Sequence, residues 1–584
     1  MKPTDIENPE YFHRVIDCQF ACPAHTPVPE YIRLIAEKKY SQAYMINWWS
    51  NVFPGILGRI CDRPCEPACR RGRVEEKAVA ICRLKRVCAD NKDATGLVFP
   101  EIPKEKNGKK VALIGGGPAS LTVARDLMPL GYEVDLYDDQ ASVGGFVRSQ
   151  VPSFRLPKKV LDEEVNAILD MGVTTYLNTY ISSFKDFLTK GYDAVFIGTG
   201  APRGRDLNLP GRQAGDASIF VGIEWLAAVQ YTHIKAAGKT TLVIGGGNTA
   251  MDCCRTARRL GGEDVKVIIR GSRDKMKASS WEIEDALHED IPILEYLSPK
   301  EFVVEDGQLK GMNFINLNAG APDSKEEIVF ISCDQVLLAV GQQNAFPWIE
   351  PDTGIGFDNR GRPRVDEVTF QSDLEHVFFG GDAAFGPANV ITAVAHGHEA
   401  AVSIDLYCRG KDVRERPAPY SSLTAQKMGL RDWAYDNVVT IDQRQDVPLA
   451  PKVKSIKDRL MEVELGFDIK TGKREAQRCL NCDVQTVFTA TECIECDACV
   501  DVCPTTCINF LDNGDEQDLR ERLAVPAQNQ SQSLYVSDVL PTGRVMVKDE
   551  DVCLHCGLCA EKCPTSAWDM QKYTFNIIKA GQDE

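Results

Sequence analysis

Two cysteine runs towards the end of the chain have a spacing that suits redox chemistry. Both read Cys-x2-Cys-x2-Cys-x3-Cys-Pro. In ferredoxin modules with two [4Fe-4S] clusters, three cysteines of such a run bind one cluster and the fourth binds the other. A zinc site does not require a fourth cysteine followed by proline, so zinc is disfavoured. The two expected ligand sets are Cys493, Cys496, Cys499 and Cys563, and Cys553, Cys556, Cys559 and Cys503.

Residues 1–95 hold a further group of cysteines between short helical patterns. A spacing of three residues recurs from Cys61 to Cys69, and Cys22 precedes a proline. Thiols that only fill a core are scattered singly, so the repeated spacing favours cluster ligands over structural thiols. We therefore expect a small helical domain that carries cysteines on its loops. These cysteines are Cys18, Cys22, Cys61, Cys65, Cys69, Cys82 and Cys88.

The composition indicates a cytoplasmic globular protein. A chain of 584 residues is long enough for about four domains. The fractions of hydrophobic residues (43%) and charged residues (26%) are ordinary for a globular protein. A net charge of −17 argues against nucleic acid or an anionic membrane as a partner. The sequence shows no run of about 18 apolar residues and no signal-peptide core. In a reducing compartment the 22 cysteines favour cluster or metal ligands over disulfides.

Clusters need a source of electrons, and the first elements that could bind a redox cofactor lie in Val111–Gly145. This stretch reads strand, glycine turn, helix, second strand and acid, which is the order that a dinucleotide requires. Gly115 and Gly117 let the backbone approach a pyrophosphate at the helix N-terminus, and Asp138 accepts from a ribose hydroxyl. Ser120 stands where the motif has a third glycine or alanine, and it should still permit close helix packing. An ordinary strand–helix turn is the alternative.

A second unit of the same layout starts at Thr241. Its second strand ends in Arg270, where the first unit has an acid. An acid would repel a 2′-phosphate, whereas Arg270 and Arg273 can pair with one bidentately, so this unit is expected to bind NADPH rather than NADH. A solvated surface pair of arginines is the alternative. The turn and the start of its helix supply Gly245, Gly247, Asn248, Thr249 and Ala250.

Two further strand ends complete the expected flavin site. One strand closes at Gly200, and another ends at Gly381 and Asp382. Asp382 suits a contact with a flavin ribityl chain or phosphate, and capping of the next helix is the alternative. NADPH delivers two electrons whereas a cluster accepts one at a time, so a flavin is expected between them. No catalytic residues are expected beyond those that position the cofactors, because hydride transfer to a flavin depends mainly on stacking geometry.

These elements predict a multidomain α/β protein. It would contain an N-terminal helical iron–sulfur domain, two nested Rossmann-like nucleotide-binding domains and a C-terminal α+β ferredoxin domain with two [4Fe-4S] clusters. The expected domains are residues 1–95 (helical), 108–205 with 340–408 (FAD), 206–339 (NADPH), 409–485 (connector) and 486–584 (ferredoxin). We also expect a helix over Val453–Leu465 and a surface insertion at Asn509–Lys548. Cys507 follows the first ferredoxin run and receives no role.

Several motifs in residues 15–410 resemble a known family. They are Cys22-Pro23, GRIC ending at Cys61, GGGPAS, VGG, PSFRLP, YDAVFIGTGA, GGGNTAMDC and GGD. The chain resembles the small, NADPH-oxidising subunit of bacterial glutamate synthase, the N-terminal half of dihydropyrimidine dehydrogenase and the related NADPH:ferredoxin transhydrogenase flavoprotein. The resemblance implies FAD, NADPH and two N-terminal [4Fe-4S] clusters. Through VGG and PSFRLP it also implies cofactor contacts from Gly145 and Arg155.

The same resemblance implies ligands for the N-terminal clusters. In that family a CxxC pair joins one cluster, and a non-cysteine side chain joins the other. Here no CxxC precedes Cys18, but Cys479 and Cys482 form such a pair later in the chain. Lys85 lies near the position of the family's non-cysteine ligand, but its side chain cannot bind the cluster. Cys82 lies three residues earlier and is the expected replacement. The expected sets are Cys18, Cys69, Cys479 and Cys482, and Cys22, Cys61, Cys65 and Cys82, with Cys88 as the spare.

The combined pattern predicts an electron-transfer flavoprotein subunit with FAD, NADP(H) and four [4Fe-4S] clusters. Hydride would pass between NADP(H) and FAD, and single electrons would pass to or from a partner. A flavoprotein of this layout with a trailing two-cluster ferredoxin resembles the third subunit of some 2-oxoacid oxidoreductases, so a 2-oxoglutarate oxidoreductase is the expected complex. The alternatives are a glutamate synthase small subunit, whose large subunit would be the partner, a stand-alone NADPH:ferredoxin oxidoreductase acting on ferredoxin, and a non-catalytic scaffold or redox sensor.

Overall fold

In the computed structural model the chain forms two compact units. The described residues are 1–318, 327–425, 440–527 and 529–582, and part of the expected connector lies outside them. One unit, named here the cysteine-rich unit, comprises Met1–Phe99, Arg416–Asp446 and Gly466–Glu584. The other, named the parallel-sheet unit, comprises Pro100–Glu415 and Val447–Leu465. None of the helices in the described ranges is long and apolar enough to cross a membrane.

The parallel-sheet unit contains two five-stranded parallel sheets. In the first, Lys110–Ile114 lies at the centre between Ala194–Ile197 and Glu133–Tyr137. After its first residue this central strand is wholly apolar and buried, as expected where helices cover both faces of a sheet. Val377–Phe379 and Thr174–Tyr176 form the two edges.

The second parallel sheet follows the same plan. Its strands in spatial order are Ile219–Val221, Gln335–Leu338, Thr240–Ile244, Asp264–Ile268 and Ile293–Leu294. An antiparallel sheet shares a hydrophobic core with it. That sheet consists of Leu297–Glu305, Gln308–Asn316 and Ile328–Ser332. The segments that connect the two parallel sheets pair with each other as the antiparallel strands Arg203–Gly204 and Gln342–Gln343.

Helices accompany these sheets, and one glycine sets how closely two of them pack. Pro118–Leu127 packs against the long helix Val390–Cys408. A Cβ at Gly397 would lie 2.6 Å from the carbonyl oxygen of Ala119, so glycine permits this close approach. The remaining helices of the unit are Gly145–Ser149, Lys158–Leu169, Phe184–Leu188, Gly222–Gln230, Asn248–Arg259, Ser280–His288, Asp382–Phe385 and Lys452–Ser455, with 3-10 helices at Met128–Leu130, Asp216–Ser218 and Arg273–Lys275.

Short helices form the N-terminal part of the cysteine-rich unit. Val28–Ala36, Tyr40–Asn51 and Ile81–Asn91 pack together around apolar side chains such as Trp48. The much later helix Ile469–Ala476 packs against the first and third of these, so it returns the chain to this part. The other elements here are Pro9–Val15, Asp17–Phe20, Pro54–Ile60, Cys65–Ala68, Arg71–Val74 and the 3-10 helix Ala94–Gly96.

The C-terminal part of the cysteine-rich unit contains two small antiparallel sheets. In one, Trp568–Asn576 pairs with Val484–Phe488 and with Tyr420–Ala425. The other consists of Ile508–Asp512, Tyr535–Val536 and Arg544–Lys548. The helices are Ala498–Val502, Glu516–Glu521, Leu558–Lys562 and the 3-10 helix Ala490–Glu492. The expected boundary at residue 486 falls inside a strand of the first sheet.

The helix expected over Val453–Leu465 is wrong for most of its length. Only Lys452–Ser455 is helical. Further along, the Val463 N–H donates to the carbonyl oxygen of Phe154 at 2.9 Å. Backbone groups of this segment therefore form turns, such as the bond from the Lys457 N–H to the Lys454 carbonyl oxygen at 3.1 Å, and bonds to other parts of the parallel-sheet unit.

The expectation of a surface insertion at Asn509–Lys548 is also wrong. The segment supplies all three strands of the second antiparallel sheet, apart from the first residue of its first strand. Its Leu519, Val536 and Val545 are fully buried in one hydrophobic cluster. The apolar residues of this polar stretch thus build a core of their own.

Candidate cofactor and iron–sulfur sites

The first glycine turn adopts a backbone conformation that favours glycine. Gly115 has a φ of +92°, and a Cβ there would lie 2.8 Å from the carbonyl oxygen of Gly198. The Asp138 carboxylate accepts hydrogen bonds from the N–H groups of Gly116 and Gln140 at 2.6 and 2.8 Å. Burial raises the pKa of this carboxyl. Asp138 therefore orders the turn, and its contact with a ribose stays a prediction.

Ser120, at the third motif position, fits because the residue opposite lacks a side chain. Ser120 is fully buried, and a Cβ at Gly198 would lie only 2.3 Å from its Oγ. The glycine therefore makes room for a hydroxyl that the usual glycine or alanine does not have. Helix Pro118–Leu127 can thus still pack closely on the sheet.

The loop after the second strand folds back onto this turn. Gly145 has a φ of +53°, and a Cβ there would lie 2.8 Å from the Gly117 Cα. The Gly144 N–H donates to the Gly116 carbonyl oxygen at 2.9 Å. The two glycine-rich segments are therefore in direct backbone contact, as a shared binding surface requires.

Asp382 lies at the start of a short helix, directly after Gly381. Its Oδ1 accepts a hydrogen bond from the Ala388 N–H at 3.0 Å. The next helix is capped by Asn389 instead, so the alternative of Asp382 as that N-cap is wrong. Burial raises the pKa of Asp382 to about 6.

Polar atoms without hydrogen-bond partners lie around the first glycine turn and the strand end at Gly381. The hydroxyls of Ser120 and Thr199 and the Nδ1 of His396 are buried and have no hydrogen-bond partner among the described residues. His396 lies against Gly380, and a Cβ at Gly200 would meet no atom within 4 Å. Unpartnered buried polar atoms are rare in native proteins. The region therefore has space and hydrogen-bonding capacity that suit a flavin nucleotide.

Arg155 makes contacts that its motif did not predict. Its guanidinium forms ion pairs with Asp252 at 2.7 Å and with Glu282 at 2.5 Å. Burial raises the pKa of Asp252 to about 6, although Arg155 opposes the rise. Asp252 belongs to helix Asn248–Arg259, so Arg155 ties the first glycine unit to the second. A contact of Arg155 with a cofactor stays a prediction.

The second glycine turn has a similar build. Gly245 has a φ of +140°, and a Cβ there would lie 2.2 Å from the Ala339 carbonyl oxygen. A Cβ at Gly247 would meet no atom within 4 Å, so open space lies before the helix. The Asn248 Oδ1 accepts from the Ser279 N–H at 2.9 Å, which fixes the helix start. This open helix N-terminus suits an anion.

The charge beside this turn is positive. Arg270 and Arg273 are exposed, and neither side chain forms an ion pair with any residue in the described ranges. Both guanidinium groups are therefore available to a 2′-phosphate. Thr249 and the buried Ala250 complete the helix start.

In the cysteine-rich unit, thiols from three distant segments meet. The pKa of Cys18 is raised, mainly by burial. The neighbouring thiols of Cys69, Cys482 and Cys479 add to the rise. Cys479 and Cys482 follow the returning helix Ile469–Ala476, which explains how they reach the N-terminal helices. The structure thus brings together the four cysteines of the first expected N-terminal set.

A second group of thiols surrounds Lys85. Burial alone would lower the pKa of this ammonium, but the thiols of Cys61, Cys82, Cys22 and Cys65 raise it above its ordinary value. These four are the second expected N-terminal set. A buried cation facing four thiols is costly unless they carry negative charge, as cluster ligands do.

Cys88 lies outside this group of thiols. Its thiol donates to the carbonyl oxygen of Lys85 at 3.0 Å, within the same helix. It is completely buried in helix Ile81–Asn91. Cys88, the expected spare ligand, is therefore a buried side chain of this helix.

The two C-terminal runs exchange their last cysteines. Burial raises the pKa of Cys499 to about 11, and Cys493 and Cys563 lie close enough to add to the rise. Burial raises the pKa of Cys556 in the same way, with contributions from Cys553 and Cys503. Cys496 lies near Cys493, and Cys559 lies near Cys553 and Cys556. Each group therefore contains three thiols of one run and the fourth of the other, as the spacing predicts.

Cys507 is a functional candidate that the sequence reasoning missed. Its Sγ lies 3.5 Å from the Sγ of Cys503. Both line one cavity with Cys553, Cys556 and Cys559. The available signal was its position four residues after Cys503, where the other run has alanine.

Arg70 joins one N-terminal thiol group to one C-terminal group. Its guanidinium donates to the Cys553 carbonyl oxygen at 3.0 Å, pairs with Asp17 at 3.1 Å and contacts the His555 ring at 2.9 Å. Because Arg70 directly follows Cys69, these bonds hold the two thiol groups side by side within the unit.

Comparison with known proteins agrees with these sites. Family models match residues 109–397 (pyridine nucleotide-disulphide oxidoreductase), 13–97 (dihydropyrimidine dehydrogenase domain II, 4Fe-4S cluster) and 492–567 (4Fe-4S dicluster domain). The beta subunit of the NADP(+)-dependent formate dehydrogenase of Moorella thermoacetica is 35% identical, over 80% of this chain and 70% of that protein. The chain belongs to this family of NADP-dependent FAD/iron–sulfur oxidoreductase subunits. 

Two further members show how the family varies. The beta subunit of the NADPH-Fe(3+) oxidoreductase of Geobacter sulfurreducens is 31% identical, over 82% of this chain and 77% of that subunit. The glutamate synthase [NADPH] small chain of Azospirillum brasilense is 31% identical, over 68% of this chain and 86% of that chain. The expected resemblance, the multidomain α/β fold and the FAD, NADP and [4Fe-4S] cofactors are confirmed. The number of clusters and the individual ligands stay predictions.

Replacing Cys479 by alanine tests the returning pair. We expect a loss of about four iron atoms per chain and of one N-terminal [4Fe-4S] EPR signal, because one ligand of that set is removed. Iron analysis and EPR of the dithionite-reduced protein provide the measurement. Cys88→Ala is the matched control and should retain all iron. Loss of a ferredoxin signal with intact N-terminal signals would show that Cys479 serves a different cluster.

Replacing Asp382 by asparagine tests its contact with FAD. Since a carboxylate accepts a hydrogen bond best when ionised, we expect wild-type FAD affinity to fall as the pH drops below about 6, the raised pKa of this group. The variant should bind FAD roughly ten- to a hundredfold more weakly at pH 8 and lack the pH step. Fluorescence of released FAD measures both. The exposed Asp170→Asn is the control, and a pH step that survives in Asp382→Asn contradicts the assignment.

Proposed function

We propose that this subunit passes electrons between NADP(H) and a partner oxidoreductase through FAD and four [4Fe-4S] clusters. The observation that supports the proposal is that thiols from distant segments lie near one another within the cysteine-rich unit. FAD, when bound, takes up two electrons as hydride and gives them to iron–sulfur clusters singly. The residues of this chain position these groups and balance their charge.

The proposed ligands are four cysteines for each cluster. Two sets belong to the N-terminal part: Cys18, Cys69, Cys479 and Cys482, and Cys22, Cys61, Cys65 and Cys82. The other two belong to the C-terminal part: Cys493, Cys496, Cys499 and Cys563, and Cys503, Cys553, Cys556 and Cys559. Within the described residues, most of these thiols are buried, which suits ligands of a group that must be shielded from water.

Buried cations support the two N-terminal assignments. Lys85 is 5% and Arg70 is 4% exposed, and a buried charge without compensation is strongly unfavourable. Lys85 faces the second set, and Cys482 and Cys553 lie near the guanidinium of Arg70. Asp17 pairs with Arg70 at 3.1 Å, and thiolates of bound clusters would supply further negative charge near both cations.

The arrangement also supports a place of contact with the partner. Cys496 and Cys556, one in each C-terminal set, are exposed, and the surface beside Cys496 is the more open because Ile494 is 62% exposed whereas Leu558 is 36% exposed. Electron transfer between proteins requires a redox group near the surface that the partner can reach. The C-terminal set that includes Cys496 is therefore the proposed point of exchange, and Arg70 couples the companion set to the N-terminal part.

For the partner we propose the catalytic part of a 2-oxoglutarate oxidoreductase. The layout of the chain supports this partner, because a flavoprotein with a trailing two-cluster ferredoxin resembles the third subunit of such complexes. The identity of the Moorella relative as a formate dehydrogenase subunit supports a formate-oxidising partner as a second candidate. A glutamate synthase large subunit is the third, on the strength of the Azospirillum relative.

Substitution of Arg270 and Arg273 by glutamine tests the coenzyme choice. We expect each change to weaken NADPH binding by roughly tenfold or more, because a charge-assisted bond to the 2′-phosphate is lost. NADH binding should be unchanged, because it has no such phosphate. Stopped-flow reduction of the flavin by each coenzyme measures this. The exposed Arg360→Gln is the control, and an equal loss with both coenzymes contradicts the assignment.

Anaerobic titration of the native protein tests the function and the partner. We expect NADPH to bleach the flavin absorbance and a second chain to copurify at fixed stoichiometry. In that complex, bleaching by 2-oxoglutarate with its co-substrates identifies the favoured partner, whereas bleaching by formate or glutamate identifies one of the others. A monomer that NADPH still reduces would make this a stand-alone reductase. Absence of bleaching by NADPH contradicts the electron-transfer role.

A further inference from the structure

A fifth thiol lies beside the C-terminal ligand set of Cys503, Cys553, Cys556 and Cys559, named here the inner set. The set of Cys493, Cys496, Cys499 and Cys563 is named the outer set. Cys507 is 4% exposed, and its Sγ is 3.5 Å from that of Cys503. It lines the same cavity as Cys553, Cys556 and Cys559. A covalent S–S bond is near 2.05 Å, so the two sulfur atoms are neighbours and not a disulfide. One cavity therefore holds five thiols, whereas a [4Fe-4S] cluster requires four ligands.

The repeat of the ferredoxin module supplies an internal comparison. Cys503 is followed by Pro-Thr-Thr-Cys and Cys563 by Pro-Thr-Ser-Ala. Both stretches make the same turn, since Thr506 and Ser566 have φ angles of +54° and +59°. The two halves therefore differ at this point mainly in side chain. Cys507 has Ala567 as its counterpart.

The backbone bonds at these two positions also correspond. The Cys507 carbonyl oxygen accepts from the Asp549 N–H at 3.1 Å, and the Ala567 carbonyl oxygen accepts from the Thr489 N–H at 2.8 Å. Alanine thus satisfies the structural needs of the turn. A small apolar side chain would fill the site as well as cysteine does, so packing alone does not account for a thiol that faces the ligand cavity.

We propose that Cys507 is a reserve ligand for the cluster of Cys553, Cys556 and Cys559. When the bond from iron to the Cys503 sulfur breaks, a bond from the same iron to the Cys507 sulfur forms. The proton leaving the Cys507 thiol balances the one that the released Cys503 thiolate takes up, and no electron is transferred. The inner cluster therefore keeps four ligands after loss of Cys503. At the corresponding position beside Cys563, the outer set has Ala567, which cannot replace a ligand. The inference rests on the ligand sets of the proposed function.

The experiment uses the full-length holoprotein and compares removal of the corresponding cysteine ligand in each half of the ferredoxin module. Its variants are Cys503→Ala, Cys507→Ala, the Cys503→Ala/Cys507→Ala double variant, Cys563→Ala and the Cys563→Ala/Ala567→Cys double variant. Iron and acid-labile sulfide per chain give the cluster content. EPR of the reduced protein shows which cluster remains and whether its ligands changed. Wild type should contain about sixteen iron atoms.

We expect Cys503→Ala to retain full iron content with a shifted EPR signal of the inner cluster. Cys507→Ala alone should match wild type, and the Cys503→Ala/Cys507→Ala variant should lose about four iron atoms. Cys563→Ala should lose its cluster, and adding Ala567→Cys should restore it. This restoration tests the geometry even if the Cys503 variant does not fold.

Two results would overturn the inference. One is a Cys503→Ala variant that loses as much iron as the double variant, or that holds a three-iron cluster. The other is a Cys563→Ala variant that Ala567→Cys fails to restore. A wild-type protein with fewer than four clusters would instead contradict the proposed function, so the two failures are distinguishable.

Discussion

The cysteine-rich unit depends on one fully buried ion pair, Arg478 with Glu475, whose side chains lie 2.8 Å apart with no exposed surface. Glu475 also accepts from the Ala80 N–H at 2.7 Å, and Arg478 donates to the carbonyl oxygen of Lys77 at 2.7 Å and to that of Asp442 at 2.9 Å. Three chain segments are therefore joined at one point. Loss of Arg478 would leave the buried Glu475 carboxylate without its ion-pair partner, which typically costs about 3–5 kcal/mol. These bonds of Arg478 and Glu475 position Cys479 and Cys482 beside the N-terminal helices.

The sequence predicted well those features that are encoded locally. Glycine turns with flanking apolar strands predict nucleotide units because strand, turn and helix are contiguous. The contrast between Asp138 and Arg270 is likewise visible in a few residues. The cysteine runs predict their own cluster pairing for the same reason. The convergence of Cys18 with Cys482 was predicted only through family resemblance, since no local pattern joins residues so far apart.

The features that the sequence missed depend on tertiary contacts. Arg155 belongs to a recognisable motif, yet its ion pair with Asp252 follows from the packing of two domains. The apolar residues of Asn509–Lys548 are too sparse to show a period, although they form a core once the strands pair. Cys507 has no role in the spacing of the ferredoxin runs, and only the fold shows that its Sγ lies 3.5 Å from that of Cys503. In each case the decisive neighbour lies on another segment of the chain or beyond the motif that sequence reasoning examined.

The contact between the two ends of the cysteine-rich unit has a consequence for biosynthesis. Arg33 bonds to Asp483, a residue 450 positions later, and the Tyr573 hydroxyl donates to the Pro9 carbonyl oxygen. At about 5–20 residues per second, translation takes roughly half a minute or longer to supply these late partners. During that interval Cys18 and Cys69 await the rest of their set. On the proposed ligand assignment, iron insertion at that set waits until Cys479 and Cys482 have been synthesised, and the nascent N-terminal thiols must be kept reduced until then.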